Sequence, residues 1–250
     1  YYQKESYINE AGTIAIVTSY VWGGTRNTPL WIGDIDKNNL SNTTWNVVFI
    51  TGWDHINNIA ANSTFTNIYL GMYDGGSNSG LWIFNNSDIS NLYDNLINTN
   101  NWTKSTNTDI QNISTYYIAS SLDNKVIVMP NYNNSSEVWF SNDYGSNFYN
   151  MYNSEINFTQ QVSVSPDGNY ILIYNSTNML LYTPGDNGNY TKLGVINNNI
   201  FGKSINRCTI SNNASMIVTR NAYNGDGNAW VVNVNSVYDS YKLFQLENIG

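Results

Sequence analysis

A polar turn followed by an apolar, β-rich strand recurs five times along this chain, and this repeat restricts the folds open to it. The turns begin at Asn9, Asn62, Ser121, Ser165 and Ser211. Successive starts are 53, 59, 44 and 46 residues apart. Strand-type repeats of this length are typical of a β-propeller, in which each repeat forms one blade.

A second strand, often carrying a tryptophan, follows each turn and keeps the same register. These strands read Leu30-Trp31-Ile32, Leu81-Trp82-Ile83, Val138-Trp139-Phe140, Leu180-Leu181-Tyr182 and Trp230-Val231-Val232. We interpret the turn as the connection of strands a and b of a blade, and the second strand as strand c. The fold class predicted is all-β: one five-bladed β-propeller domain over residues 1–250, built from four-stranded antiparallel blades. The approximate blades are 1–52, 53–106, 107–154, 155–198 and 199–250.

Strands b and c are nearly continuous apolar runs, as in Tyr170–Tyr174. This pattern predicts strands that are buried on both faces between neighbouring blades. Strand a of the first blade is expected to begin at Glu5. Residues Tyr1–Lys4 are then spare, and we expect them to close the ring or to reach a neighbouring molecule. No segment shows helical periodicity.

Composition restricts the setting and the partners. Charged residues make up only 11% of the chain and the net charge is −8, which argues against a nucleic-acid partner. No apolar run is long enough to cross a bilayer. Asparagine accounts for 46 residues. This uncharged polar surface favours an extracellular location, on a cell or a virion.

Few residues are available for covalent or metal chemistry. The one cysteine, Cys208, has no internal disulfide partner, and it is expected in a buried strand. The one histidine, His55, excludes a multi-histidine metal cluster and is interpreted as structural. We therefore expect no cofactor. Two oxygen-rich loops, Gly185–Asn189 and Asn221–Asn228, leave Ca²⁺ as an alternative to plain turn chemistry.

Asn-x-Ser/Thr motifs are frequent, and most of them fall in predicted turns or their margins, where a glycan acceptor must lie. The candidate acceptors are Asn42, Asn62, Asn85, Asn101, Asn112, Asn133, Asn134, Asn157, Asn175, Asn189 and Asn213.

The segment Ser141–Phe148 resembles an Asp-box, Ser/Thr-x-Asp-x-Gly-x-x-Trp/Phe, at the predicted connection of strands c and d. The resemblance implies a structural hairpin in which Ser141 and Asp143 bond the turn backbone, Gly145 allows the turn, and Phe148 enters the core. Asn86-Ser87-Asp88 stands at the corresponding place in the second blade but lacks the glycine. Asp-box propellers include sialidases and non-catalytic receptor domains.

Two enzyme alternatives follow from propellers of this kind. A sialidase needs three arginines around a carboxylate, and the chain has only Arg26, Arg207 and Arg220, two of them in one blade. A glycosidase would use carboxylates near the channel, for which Glu5, Asp54 and Asp109 are the candidates at blade starts.

A lectin is the next alternative. Small five-bladed lectins resembling tachylectin carry one sugar pocket per blade, and aromatic residues near the b–c connections could stack on sugars. The candidates are Trp22, Tyr73, Tyr132 and Tyr223.

The absence of a catalytic constellation favours a third class, a non-catalytic structural or interaction subunit. We expect such a protein to assemble with itself, as a homo-oligomer or polymer, or with other surface proteins and glycans, in a coat or filament. The lectin is the second choice and the glycosidase the third.

Overall fold

The computed structural model describes residues 2–20, 29–49, 56–72, 79–134, 136–151, 161–174, 178–197, 205–221, 229–233 and 242–246. Its strands form five separate four-stranded antiparallel sheets, and each sheet uses four strands consecutive in the chain. The predicted all-β architecture of five four-stranded blades is confirmed, and each sheet lies within one predicted repeat. The chain divides into two compact units, residues 1–118 and 119–250. The single-domain assignment stays a prediction.

The first unit holds two sheets. The first sheet consists of β1 (Tyr2–Ile8), β2 (Ile14–Tyr20), β3 (Leu30–Asp34) and β4 (Thr44–Val48). The second consists of β5 (Ile56–Ala61), β6 (Asn67–Met72), β7 (Gly80–Asn85) and β8 (Trp102–Lys104). A helix, α1 (Leu92–Ile97), lies between β7 and β8, and short 3-10 turns cover Leu40–Asn42 and Thr99–Asn101.

The second unit holds three sheets. The third sheet consists of β9 (Ala119–Ser120), β10 (Ile127–Pro130), β11 (Val138–Ser141) and β12 (Tyr149–Asn150). The fourth consists of β13 (Gln161–Val164), β14 (Ile171–Tyr174), β15 (Asn178–Pro184) and β16 (Tyr190–Asn197), with a 3-10 turn at Asp186–Gly188. The fifth consists of β17 (Ile205–Ile210), β18 (Met216–Asn221), β19 (Ala229–Asn233) and β20 (Lys242–Leu246).

Strand β14 shows why its sequence is apolar at every position. Ile171 and Ile173 pack into a core shared with the third sheet, whereas Leu172 and Tyr174 pack into a core shared with the fifth. Successive side chains of a strand point to opposite faces, so a strand between two sheets needs apolar residues on both. In the first unit, one core likewise joins the first and second sheets.

Three expectations from the sequence are wrong in detail: the spare residues before strand a, the lack of any helix, and the burial of Cys208. Residues Tyr2–Lys4 are not spare, because β1 begins at Tyr2 and pairs with β2, with a register shift between Gln3 and Glu5. A helix exists where none was expected: Leu92 and Leu96 of α1 are buried on one side of it. The helix has only six residues, too few for its periodicity to stand out in the sequence.

Cys208 lies in β17, as expected, but it is half-buried rather than buried. Its backbone N–H donates to the Tyr174 hydroxyl at 2.8 Å. Among the described residues, no helix is long and apolar enough to cross a bilayer.

Candidate functional site

Each sheet has two chemically different ends. Because the four strands alternate in direction, the a–b and c–d connections lie at one end, which we call the turn end. The b–c connection and the chain entering strand a lie at the other, which we call the entry end. Most of the side-chain hydrogen bonds of the described connections occur at the turn end.

The five a–b turns are built alike. The first turn residue donates its N–H to the carbonyl of the residue five positions later, at 2.9 to 3.1 Å. Its side-chain oxygen accepts the N–H of that same residue, at 3.0 Å in all five turns. The pairs are Asn9–Ile14, Asn62–Asn67, Ser121–Val126, Ser165–Tyr170 and Ser211–Met216. Asn or Ser at the first position is therefore required by the turn itself.

The fourth residue of every a–b turn has a left-handed backbone. The residues are Gly12, Phe65, Asn124, Gly168 and Ala214, with φ values of 64°, 61°, 60°, 75° and 51°. Glycine adopts this region without steric cost, and asparagine tolerates it. Phe65 and Ala214 adopt it with buried side chains, so core packing offsets the backbone strain at these two positions.

An aspartate organises the c–d connection in three of the sheets. Asp36 accepts the N–H groups of Asn38 and Asn39. Asp88 accepts the N–H and the hydroxyl of Ser90. In the third sheet Asp143 has the same role. Asp36 was not predicted from the sequence, although all three aspartates come two or three residues after the end of strand c.

The segment resembling an Asp-box forms the tightest of these connections. Ser141 is fully buried; its hydroxyl accepts the N–H of Gly145 at 2.9 Å and donates to Asp143 at 2.7 Å. Asp143 also accepts the N–H of Asn147 at 2.9 Å. Gly145 has φ of 75°, and Phe148 is only 5% exposed. The geometry is that of a structural hairpin.

Hydrogen bonds to these carboxylates change their acidity. The backbone N–H of Asn38 and the amide of Asn42 lower the pKa of Asp36 below its ordinary value. The hydroxyl of Ser90 and the amide of Asn91 do the same for the pKa of Asp88.

Opposing effects act on the half-buried Asp143 and on the exposed Asp167. Burial raises the pKa of Asp143, but the backbone and side-chain N–H groups of Asn147 and the Ser141 hydroxyl outweigh it. Burial likewise raises the pKa of Asp167, and hydrogen bonds from Ser165 and Asn169 outweigh it. Both carboxyl groups therefore have a net pKa below the ordinary value and are charged at neutral pH.

At the entry end of the second sheet, the segment 105–118 packs over the sheet. The N–H of Thr115 donates to the carbonyl of Met72 at 3.2 Å. A side chain on Gly80, which has φ of 120°, would collide with the carbonyl of Gln111. Asp109 lies exposed on this segment. Of the other two candidate carboxylates, Glu5 is half-buried in β1, and Asp54 lies outside the described residues.

The b–c connection of the third sheet is held by one carboxylate. Glu137 accepts the side-chain amides of Asn131 at 2.9 Å and Asn134 at 2.6 Å, one on each oxygen. Asn131 also closes the loop through its backbone, which bonds the carbonyl of Glu137 at 2.9 Å. The loop presents the Tyr132 ring, 52% exposed, next to the exposed Asn133. The ring of Tyr132 is thus exposed to solvent, and its sugar-stacking role stays a prediction.

The remaining predicted residues are placed as follows. Trp22, Tyr73, Tyr223, Arg26 and His55 lie outside the described residues. Arg207 and Arg220 are backbone partners on β17 and β18. Gly185–Asn189 forms a turn closed by the N–H of Gly185 on the carbonyl of Asn189 at 2.7 Å, and most of Asn221–Asn228 lies outside the described residues. No cluster of three His, Cys, Asp or Glu residues occurs in the part of the chain that the structure describes.

Comparisons with solved structures identify the fold. A structure from Bacteroides uniformis named "putative 6-phosphogluconolactonase" matches with TM-score 0.59 and 13% identity, over 95% of this chain and 69% of that one. A functionally unknown protein from Desulfotomaculum acetoxidans matches with TM-score 0.64 and 13% identity, over 97% of this chain and 68% of that one. A nidogen/laminin complex matches with TM-score 0.57 and 13% identity, over 90% of this chain and 77% of that one. The first and third have propeller-like folds, so the chain is similar to β-propellers.

No protein-family model and no curated protein matches the chain. The Asp-box relationship therefore stays a prediction. The expectation of a non-catalytic structural subunit needs correction, because the Bacteroides uniformis structure bears the name of an enzyme. That expectation was inferred by elimination from residue types, and elimination says nothing about side chains that only the folded chain brings together.

Proposed function

We propose that this chain is an enzyme that hydrolyses a sugar-derived lactone. The observation that carries the proposal is the likeness, over 95% of the chain, to the structure named "putative 6-phosphogluconolactonase". At 13% identity the likeness concerns the fold, so the proposal also has to agree with the residues of this chain.

The charge of the chain favours an uncharged substrate. Phosphate groups are usually bound by arginine and lysine. This chain has only 10 such residues against 18 acidic ones, for a net charge of −8. A neutral sugar lactone avoids the repulsion that a phosphorylated one would meet.

The loop of the third sheet supports recognition of a polyhydroxylated ligand. Aromatic rings offer a flat apolar surface to the C–H groups of a sugar, and side-chain amides bond its hydroxyl groups. Tyr132 and Asn133 provide this pair of groups side by side. Glu137 holds the loop in shape through Asn131 and Asn134, which reduces the entropy lost on binding.

The reaction is a hydrolysis, so it requires a base to accept a proton and involves no change of oxidation state. A water oxygen bonds to the lactone carbonyl carbon, the ring C–O bond breaks, and the ring oxygen takes a proton as the free acid forms. A carboxylate that accepts the proton of the attacking water typically contributes about 10²–10⁴-fold in rate. Glu5 and Asp109 are the described candidates for this role, with Asp54 as the third.

The test follows acid release from glucono-1,5-lactone by titration at constant pH. We expect hydrolysis above the buffer rate, and a loss of about 10²-fold or more in at least one of the variants Glu5→Gln, Asp54→Asn and Asp109→Asn. Asp88→Asn, at the turn end, is the matched control and should keep full activity. We expect 6-phosphogluconolactone to be the poorer substrate.

Absence of acceleration over buffer by folded protein would contradict the proposal. So would full activity in all three of the variants Glu5→Gln, Asp54→Asn and Asp109→Asn.

A further inference from the structure

The eleven candidate glycosylation motifs named above differ in what their asparagine side chains do in the folded protein. Nine of these asparagines are described; Asn157 and Asn175 lie outside the described residues. The sequence treats all eleven alike. The side-chain hydrogen bonds and the exposure separate them.

The chemistry makes the amide nitrogen the atom that matters. In N-glycosylation, Nδ2 bonds to the anomeric carbon of an oligosaccharide, and the bond from that carbon to the diphosphate of a lipid-linked donor breaks. The diphosphate leaves with the bonding electron pair, and Nδ2 loses one proton. A modified asparagine must therefore point Nδ2 into solvent in the native fold, because a bulky, hydrated group is attached there.

Two of the asparagines point this atom into the protein. Asn62 is half-buried in the second a–b turn, where its Nδ2 donates to Thr66 at 2.9 Å and its Oδ1 accepts the N–H of Asn67. Asn101 is half-buried beside α1, and its Nδ2 donates to the carbonyl of Asn95 at 3.0 Å. A glycan on either one would break a connection of the second sheet.

Four others are exposed and keep Nδ2 out of hydrogen bonds with the described residues. Asn85 ends β7, and Asn189 follows the turn after β15; neither side chain has a partner among the described residues. Asn213 uses only its oxygen, which accepts the N–H of Ser215 at 3.1 Å. Asn112 also uses only its oxygen, toward Lys104 at 3.5 Å.

We propose that the chain is an exported glycoprotein whose glycans are carried on Asn85, Asn112, Asn189 and Asn213, while Asn62 and Asn101 stay unmodified. Three of the four acceptors, Asn85, Asn189 and Asn213, lie at the turn end of their sheets. The proposal does not depend on the enzymatic one.

The first test is a site map of the native protein. Glycan removal by peptide-N-glycosidase in heavy-oxygen water converts each glycosylated Asn into labelled Asp, which peptide mass spectrometry locates. We expect the label at Asn85, Asn112, Asn189 and Asn213. An unlabelled protein would overturn the proposal, and so would label at Asn62 or Asn101.

The second test removes the motifs one at a time without touching an asparagine. The full chain is secreted from a eukaryotic cell, and its intact mass is measured. Ser87→Ala and Thr191→Ala should each remove the mass of one glycan. Thr64→Ala and Thr103→Ala, the matched changes in the motifs of Asn62 and Asn101, should leave the glycan mass unchanged. The opposite pattern, or four variants of equal glycan mass, would contradict the assignment.

Discussion

At the scale of single residues, the a–b turn shows how little freedom the fourth position has. Five different sheets place a left-handed residue there, yet only Gly12 and Gly168 are glycines. Phe65 and Ala214 hold the same conformation through buried side chains. Backbone strain of about 1–2 kcal/mol is thus outweighed at Phe65 by the burial of a large ring, whereas the buried methyl group of Ala214 offsets only part of it.

Gly168→Ala should destabilise the protein by about 1–2 kcal/mol. The alanine would have to keep φ of 75°. Its methyl group would lie 3.0 Å from Val126 Cγ2 and 3.3 Å from Ser121 Cβ, so no favourable packing offsets the backbone strain. Urea unfolding followed by fluorescence measures the change. Ala214→Gly is the matched control: it relieves strain but loses a buried methyl group worth about 0.8 kcal/mol, so a small net change is expected. Equal stability of Gly168→Ala and wild type would show that the turn shifts to absorb the methyl group.

At the scale of the structural element, the c–d connections perform one task with different sequences. Asp36, Asp88 and Asp143 each bind backbone N–H groups of the residues that follow them. Only the third connection adds a buried serine beneath the aspartate. The second sheet has α1 there instead, and Leu92 and Leu96 supply its buried contacts.

Ser141→Ala should destabilise the protein by about 1–3 kcal/mol, because the half-buried N–H of Gly145 loses its acceptor. Ser87→Ala, in the corresponding connection of the second sheet, removes an exposed hydroxyl and should change stability by less than about 0.5 kcal/mol. Both variants are compared by thermal unfolding of protein made without glycosylation. If the two variants unfold at the same temperature, Ser141 does not have the role its hydrogen bonds indicate.

At the scale of the whole molecule, low charge makes stability insensitive to pH over a wide range. Acidic and basic side chains together make up 11% of the chain. The four aspartates Asp36, Asp88, Asp143 and Asp167 have pKa values below their ordinary value of 3.8. Their hydrogen bonds favour the charged form in the folded state. This stabilisation is lost only when acid protonates the four carboxylates.

We therefore expect stability to be level from neutral pH down to about pH 5 and to decrease only below about pH 4. A carboxyl group with a lowered folded-state pKa contributes its full stabilisation above its unfolded-state pKa. It loses that contribution as the pH falls through the folded-state value. Denaturant midpoints measured from pH 7 to pH 2 check this expectation. A fall in the midpoint between pH 7 and pH 5 would show that other groups control the pH dependence.

The sequence by itself determined the five repeats and the four strands of each sheet. This was possible because the signals are local: a small polar turn, and a nearly continuous apolar strand that follows it. It located Ser141–Phe148 as a hairpin for the same reason. The boundaries were less accurate, and β1 begins at Tyr2 because its pairing with β2 continues beyond Glu5.

Only the tertiary structure decided what depends on contacts between distant residues. The need for glycine at Gly80 comes from the carbonyl of Gln111, and the shape of the Tyr132 loop comes from two amides that converge on Glu137. The Nδ2 of Asn101 is directed at Asn95, whereas that of Asn85 faces solvent, although both residues stand in the same motif. A side chain's hydrogen-bonding partners depend on how the chain packs, and a local pattern carries no information about them.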